Sequence, residues 1–111
     1  MIAILVCDKD EEERDMIGRD CRERVARCSG ERLRVVVAGG DCELLSAADE
    51  EQLTHLLYYS YEKGQGLEGL RQFRKEYGGA MMMLIADPTV SPLEYLRPGV
   101  APDSLLLRPL S

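Results

Sequence analysis

The sequence has few of the side chains that usually build metal or redox sites. It contains four cysteines and one histidine, and there is no CxxC pair and no histidine next to a cysteine, which argues against a zinc site. We therefore predict that Cys7, Cys21, Cys28 and Cys42 are small apolar residues. The single histidine, His55, lies in an apolar run without an obvious Ser or Cys partner, so we expect a structural role for it.

Long hydrophobic runs and clustered positive charge are also missing. The apolar run at residues 2–7 is too short to cross a membrane or to act as a signal peptide, and acidic residues follow it. We therefore expect a cytoplasmic protein without a membrane partner. The formal net charge of -6 disfavours a surface that binds nucleic acid directly, because phosphate contacts need clustered Lys and Arg.

Apolar runs of strand length alternate with helix-like segments along the whole chain. Asp10 followed by Glu13 predicts a capping box at the start of the first helix, and Ser91-Pro92 predicts the start of a short one. This alternation predicts a single α/β domain with a parallel sheet and helices on both faces. Four helices fit between five strands, so we expect the helix after the fifth strand to be missing. The predicted strands cover residues 2–7, 33–38, 53–59, 80–86 and 104–111.

Four segments, in order, resemble the receiver domains of bacterial response regulators. They are the opening residues 2–17, the helix segment 66–75, the sequence MMMLIAD at 81–87 and the sequence LLLRPL at 105–110. The subclass that precedes LytTR-type DNA-binding domains is closest in style. The resemblance implies a flavodoxin-like (CheY-like) fold with five parallel strands in the order 2-1-3-4-5. If the resemblance holds, residues 1–111 form one receiver-like domain of a two-component system, and the fifth helix and any output domain are absent.

The resemblance also implies a phosphorylation pocket at the carboxyl ends of the strands, where ligands of such sheets bind. Receivers place two acids after the first strand and the phosphoacceptor aspartate at the end of the third. Asp8 keeps the first acid, whereas Lys9 replaces the second and is expected to pair with Asp8 in place of a metal ion. Counting back from Gly66 puts the acceptor position at Tyr58, or at Tyr59 if the loop shifts by one residue.

The remaining pocket positions depart from the family as well. Ala86 stands where receivers carry a hydroxyl on the fourth strand, and Arg108 replaces the lysine of the fifth while keeping the following proline, Pro109. Leu105 stands at the position of the switch aromatic. A tyrosine with an ordinary pKa of about 10 cannot replace an anionic acceptor. We therefore expect no metal and no cofactor in this pocket.

These departures predict a phosphorylation-independent pseudo-receiver, a signalling and dimerisation module of a transcriptional response regulator rather than an enzyme. Two alternatives remain open. One is a conventional phospho-accepting receiver with an unusual acceptor, and the other is a small α/β ligand-binding domain or enzyme. The expected partner is another protein or a second copy, because apolar groups around Leu106 would be exposed without a fifth helix. DNA would be contacted only through the missing output domain.

Overall fold

The computed structural model describes residues 2–28, 32–51 and 54–109. Its strands form one five-stranded sheet in the order β2-β1-β3-β4-β5, and every neighbouring pair is parallel. The predicted sheet and strand order are therefore confirmed. The elements along the chain are β1 Ile2–Cys7, α1 Glu11–Cys28, β2 Leu33–Ala38, α2 Asp41–Glu51, β3 Leu56–Ser60, α3 Glu68–Glu76, β4 Met81–Ala86, a 3-10 turn Pro92–Glu94 and β5 Ser104–Leu107.

The third strand begins and ends later than predicted. It starts at Leu56, after residues 54 and 55, which are not part of the strand; position 53 of the predicted range lies outside the described residues. The strand runs one residue further than predicted, to Ser60. Just before the strand, His55 Nδ1 accepts a hydrogen bond from the backbone N–H of Ala3 at 3.0 Å. The His55 backbone also donates to the Ala3 carbonyl at 3.0 Å and accepts from the Met81 N–H at 2.9 Å. The predicted structural role of His55 is confirmed.

The segment after β4 is shorter than a helix. The Ser91 side chain accepts a hydrogen bond from the Leu93 N–H at 3.3 Å, as expected of a cap, but only the 3-10 turn Pro92–Glu94 follows. Within the described residues there are thus three α-helices. The last strand ends at Leu107, and positions 110 and 111 of its predicted range lie outside the described residues.

The sheet is covered unequally on its two faces. Helices α2 and α3 pack on one face through a large cluster that includes Leu44, Tyr59, Phe73 and Leu84. Helix α1 packs on the other face, where the buried cluster is smaller. Beside α1 an open groove of about 450 Å³ extends over β3, β4 and β5. It is lined by Met16, Ile17, Asp20, Arg24, Tyr58, Met83, Leu105, Leu106, Leu107 and Pro109.

No helix in the described part of the chain is long and apolar enough to cross a bilayer.

Candidate functional site

The start of α1 brings two acidic side chains to the carboxyl edge of the sheet. Asp8 follows β1 directly and is buried, and its Oδ1 accepts a hydrogen bond from the Asp10 N–H at 2.9 Å. Asp10 caps the helix as predicted, accepting from the N–H groups of Glu12 and Glu13 at 3.0 and 3.3 Å. The predicted capping box is only half formed, because the Asp10 N–H is taken by Asp8 and the Glu13 carboxylate binds elsewhere.

That carboxylate is held by Arg108, which follows β5. Arg108 Nε donates to Glu13 Oε2 at 2.9 Å and Nη2 donates to Oε1 at 2.8 Å, so the contact is a two-pronged ion pair. Only 17% of the Arg108 side chain and 12% of the Glu13 side chain are exposed. The pair therefore ties the end of β5 to the first turn of α1 across the top of the sheet.

Arg108 also gathers groups from the ends of β3 and β4. Its Nη2 donates a short hydrogen bond to Ser60 Oγ and lies 3.4 Å from Glu62 Oε1. Its Nη1 lies 3.5 Å from Asp87 Oδ2, too far for a good hydrogen bond, and is a buried donor without another partner. The end of each of the strands β1, β3, β4 and β5 thus contributes to one cluster, which we call the crevice cluster and define as Asp8, Glu13, Ser60, Glu62, Asp87 and Arg108.

A proton is shared inside this cluster. Burial raises the pKa of the Asp8 carboxyl to about 7, and the hydrogen bond with the Glu13 carboxylate adds to the rise. Burial acts on Glu13 in the same direction, but hydrogen bonds from Arg108 and Asp8 outweigh it and lower the Glu13 pKa. Below about pH 7 Asp8 therefore holds a proton, while Glu13 carries the negative charge. The buried Asp8 Oδ2 has no other partner, which fits an O–H pointing at Glu13.

Lys9 does not join the cluster. Its side chain is exposed and lines a shallow hollow with Gln65, Gly66 and Glu68. No ion pair within 4.0 Å connects Lys9 to Asp8, both of which the structure describes, so the expected internal pair is not formed. The positive charge beside the two carboxyl groups comes from Arg108 instead, because its longer side chain reaches inward from the strand end.

The structure places Ser60, and neither Tyr58 nor Tyr59, beside Arg108. Tyr58 precedes Ser60 by two residues and lies on the same face of β3, next to the Cys21 thiol. Burial raises the pKa of its phenol to about 12. Tyr59 points to the opposite face, where its hydroxyl accepts from Gln65 Nε2 at 2.6 Å. Counting back from Gly66 missed the strand end by two residues, because the connection between β3 and α3 is shorter than the resemblance implied.

Ala86 does not face the crevice cluster either. It is fully buried in the core on the α2–α3 face, and only its carbonyl takes part, accepting from the Arg108 N–H at 3.1 Å. Strand alternation puts Ile85 on the side of Ser60, its partner in the β3–β4 register. Leu105 is partly exposed on β5 and lines the open groove, and a cis peptide bond joins Arg108 to Pro109.

Four members of the crevice cluster were missed or read differently from the sequence. Glu13 had been interpreted as part of a capping box, and Ser60, Glu62 and Asp87 were not identified as site residues from the sequence. The available signal was that Ser60 and Asp87 each lie at or directly after a strand end. Among the described residues, no group of three or more His, Cys, Asp or Glu side chains has the geometry of a metal site.

Comparisons with known proteins give matches in fold but not in sequence. No family model matches the chain, and no curated protein matches it. A two-component response regulator with a GGDEF domain superposes with a TM-score of 0.79 at 18% identity, over 99% of this chain and 44% of that one. This chain therefore spans less than half of that protein.

Two Burkholderia proteins are similar in the same way. A response regulator of Burkholderia pseudomallei, solved with a phosphorylated aspartic acid, a calcium ion and citrate, has a TM-score of 0.75 at 18% identity, over 100% of this chain and 62% of that one. A protein assigned to pilus assembly in Burkholderia thailandensis has a TM-score of 0.74 at 19% identity, over 100% and 88%. With its confirmed strand order, the chain has the CheY-like fold of response-regulator receiver domains.

Proposed function

We propose that this chain is a receiver-type signalling module that works without phosphorylation. The observation that carries the proposal is the crevice cluster, in which Arg108 and a shared proton neutralise the carboxyl groups of Asp8 and Glu13. Phosphoryl transfer to a receiver needs a carboxylate acceptor and a Mg²⁺ ion that several oxygen ligands hold. Here the side chain at the end of β3 is the Ser60 hydroxyl. The Arg108 guanidinium lies beside the carboxyl groups, in the position that a bound metal ion would need.

The proposed module passes its signal through contacts with another protein or with a second copy. Any effect on transcription would come from an output domain joined to it, since its own net charge of -6 disfavours direct DNA contact. The idea that this module is joined to a further domain is supported by the response regulator with a GGDEF domain, in which the matching region is less than half of a longer chain.

Incubation with acetyl phosphate and Mg²⁺ tests the central claim. We expect the intact mass to stay unchanged, because the side chain at the end of β3 is the Ser60 hydroxyl, which contacts Arg108, and a receiver needs a carboxylate and a bound Mg²⁺ ion there. The Burkholderia pseudomallei response regulator, treated in parallel, serves as the positive control, since it carries a phosphorylated aspartic acid. A stoichiometric gain of about 80 Da, one phosphoryl group, would contradict the proposal. Loss of that gain in Ser60→Ala would then identify the acceptor.

A second copy is the partner that we propose for the exposed leucines near β5. Leu93, Leu96, Leu105 and Leu107 are 78%, 53%, 38% and 48% exposed, on β5 and the segment before it. Such a concentration of exposed apolar side chains is unusual for a monomer surface. We expect a dimer in light scattering at high protein concentration.

Charged substitutions at two of these leucines test the dimer. The double variant Leu93→Glu and Leu107→Glu should be monomeric, because burying two carboxylates in an interface is costly. Val37→Glu is the matched control, since Val37 is 44% exposed on β2, at the opposite edge of the sheet, and this variant should still dimerise. A wild-type chain that remains monomeric at high concentration would disprove the proposed dimer.

A further inference from the structure

A second polar hollow lies away from the crevice cluster, between α1 and the edge strand β2. Its volume is about 570 Å³, and it opens to solvent. We call it the arginine hollow. It is lined by Arg14, Asp15, Gly18, Arg19, Arg22, Val35 and Val37.

The three arginine side chains of this hollow have no partner among the described residues. No ion pair or side-chain hydrogen bond joins Arg14, Arg19 or Arg22 to another of these residues, and Arg14 Nε is buried without an acceptor. Arg24 on the same helix differs, since it pairs with Asp20 at 2.9 Å. A buried donor without an acceptor is costly, so an oxygen-rich ligand that reached Arg14 would stabilise this arrangement.

The charge of the hollow favours an anion although the whole chain is acidic. Asp15 is its only carboxylate, against three guanidinium groups. The Glu43 carboxylate lies near Gly39, as the Arg14 guanidinium does, but its Oε2 already accepts the Gly39 N–H at 2.9 Å and no ion pair within 4.0 Å joins these two described residues. The local field is therefore positive in a chain whose formal net charge is -6.

The floor of the hollow is apolar and accessible. Val37 is 44% exposed, and Val35 beside it is half-buried. Gly18 packs directly on Val35, because a Cβ there would lie 3.6 Å from Val35 Cγ1 and 3.5 Å from Arg22 Nη1. The accessible apolar surface of the hollow is therefore mainly that of Val37, next to the guanidinium groups.

We propose that the arginine hollow binds a nucleoside monophosphate or a closely similar phosphate ester of a ring compound. Guanidinium groups bind phosphate oxygens through paired hydrogen bonds, which supplies the acceptor that Arg14 lacks. The base lies on the exposed side chain of Val37, while the phosphate binds the guanidinium groups beside it. The site is separate from the crevice cluster, and binding here does not depend on whether the end of β3 accepts a phosphoryl group.

Titration of guanosine monophosphate into the ¹⁵N-labelled chain at low salt tests this proposal. The amide signals of residues 14–22 and 35–37 should shift and saturate, and the affinity should fall as salt is added, because salt screens exposed charges. Guanosine should not bind, and inorganic phosphate should bind at least tenfold more weakly than the nucleotide. Absence of saturable shifts, shifts confined to other residues, or equal affinity for phosphate and nucleotide would each overturn the proposal.

Variants distinguish a specific binding site from nonspecific electrostatic attraction of the nucleotide to the chain. The double variant Arg14→Gln and Arg22→Gln should lose at least tenfold in affinity, whereas Arg24→Gln, on the same helix, should bind like the wild type. Val37→Glu introduces a carboxylate on the exposed floor and should abolish binding, while Val37→Gln, of the same size but neutral, should retain most of it. The proposal fails if Val37→Glu and Val37→Gln bind equally well, or if the double arginine variant keeps wild-type affinity.

Discussion

Replacing Arg108 with methionine is expected to destabilise the chain by about 3–5 kcal/mol at pH 8. The substitution keeps most of the side-chain volume but removes the cation that binds Glu13 through two hydrogen bonds. The Glu13 carboxylate, only 12% exposed, would then face Asp8 without compensation. Urea unfolding followed by circular dichroism measures the change in the free energy of unfolding.

Three comparisons make this result specific to the ion pair. Arg97→Met removes a cation from an exposed position and should change stability by less than about 0.5 kcal/mol. Arg108→Lys keeps the positive charge but cannot make the paired hydrogen bonds of a guanidinium to Glu13. Its loss of stability should therefore be smaller than that of Arg108→Met. At pH 5 the Arg108→Met loss should shrink, because protonation relieves the repulsion between Glu13 and Asp8. A stability equal to the wild type at pH 8 would show that the pair contributes nothing.

Replacing Asp8 with asparagine is expected to change how stability depends on pH. Because the Asp8 pKa is about 7 in the folded chain and ordinarily 3.8, the folded state holds a proton between these values that the unfolded state has released. The stability that this proton gives is present at low pH and is lost as pH rises towards and through 7. Asparagine needs no proton to donate to Glu13, and its Oδ1 can still accept from the Asp10 N–H.

The variant Asp8→Asn should therefore be more stable than the wild type at pH 8, by about 1–3 kcal/mol, and should approach it near pH 4. The lowered pKa of Glu13 acts in the opposite sense, its stability being lost as pH falls, but both proteins share that contribution. Asp87→Asn is the matched control, since it removes a more exposed carboxylate beside Arg108 and should give less than about 0.5 kcal/mol. Parallel stability profiles from pH 4 to 8 for wild type and Asp8→Asn would contradict the shared proton.

Local patterns were sufficient for most of the fold. The apolar runs at 2–7 and 33–38 coincide with β1 and β2, and the cap at Asp10 forms where the spacing predicted it. These features depend on neighbours a few residues away, and strand-helix alternation then leads to a parallel sheet. The segment after Ser91 was predicted less well, because its caps indicate where a helix starts but not whether it continues beyond one turn.

The composition of the crevice cluster could be predicted only in part. Asp8 lies at a strand end that the sequence located correctly, and Arg108 was assigned to the pocket although β5 ends at Leu107, earlier than predicted; both are in the cluster. Ser60 was missed because counting residues back along the loop from Gly66 does not show at which residue β3 ends. The pairing of Cys7 with Tyr59 in the β1–β3 register is what puts Ser60 next to Asp8.

The sequence by itself determined the order of elements, the burial of the strands and the edge of the sheet at which polar groups collect, because periodicity and capping act over a few residues. Only the tertiary structure decided which charges meet. The Glu13 carboxylate binds Arg108, 95 positions away, instead of the cap of its own helix. This arrangement leaves the neighbouring Asp8 carboxyl with a raised pKa. Such pairings follow from strand register and side-chain reach, which no local pattern contains. The same holds for the arginine hollow, where α1 and β2 place three unpaired guanidinium groups over a valine floor.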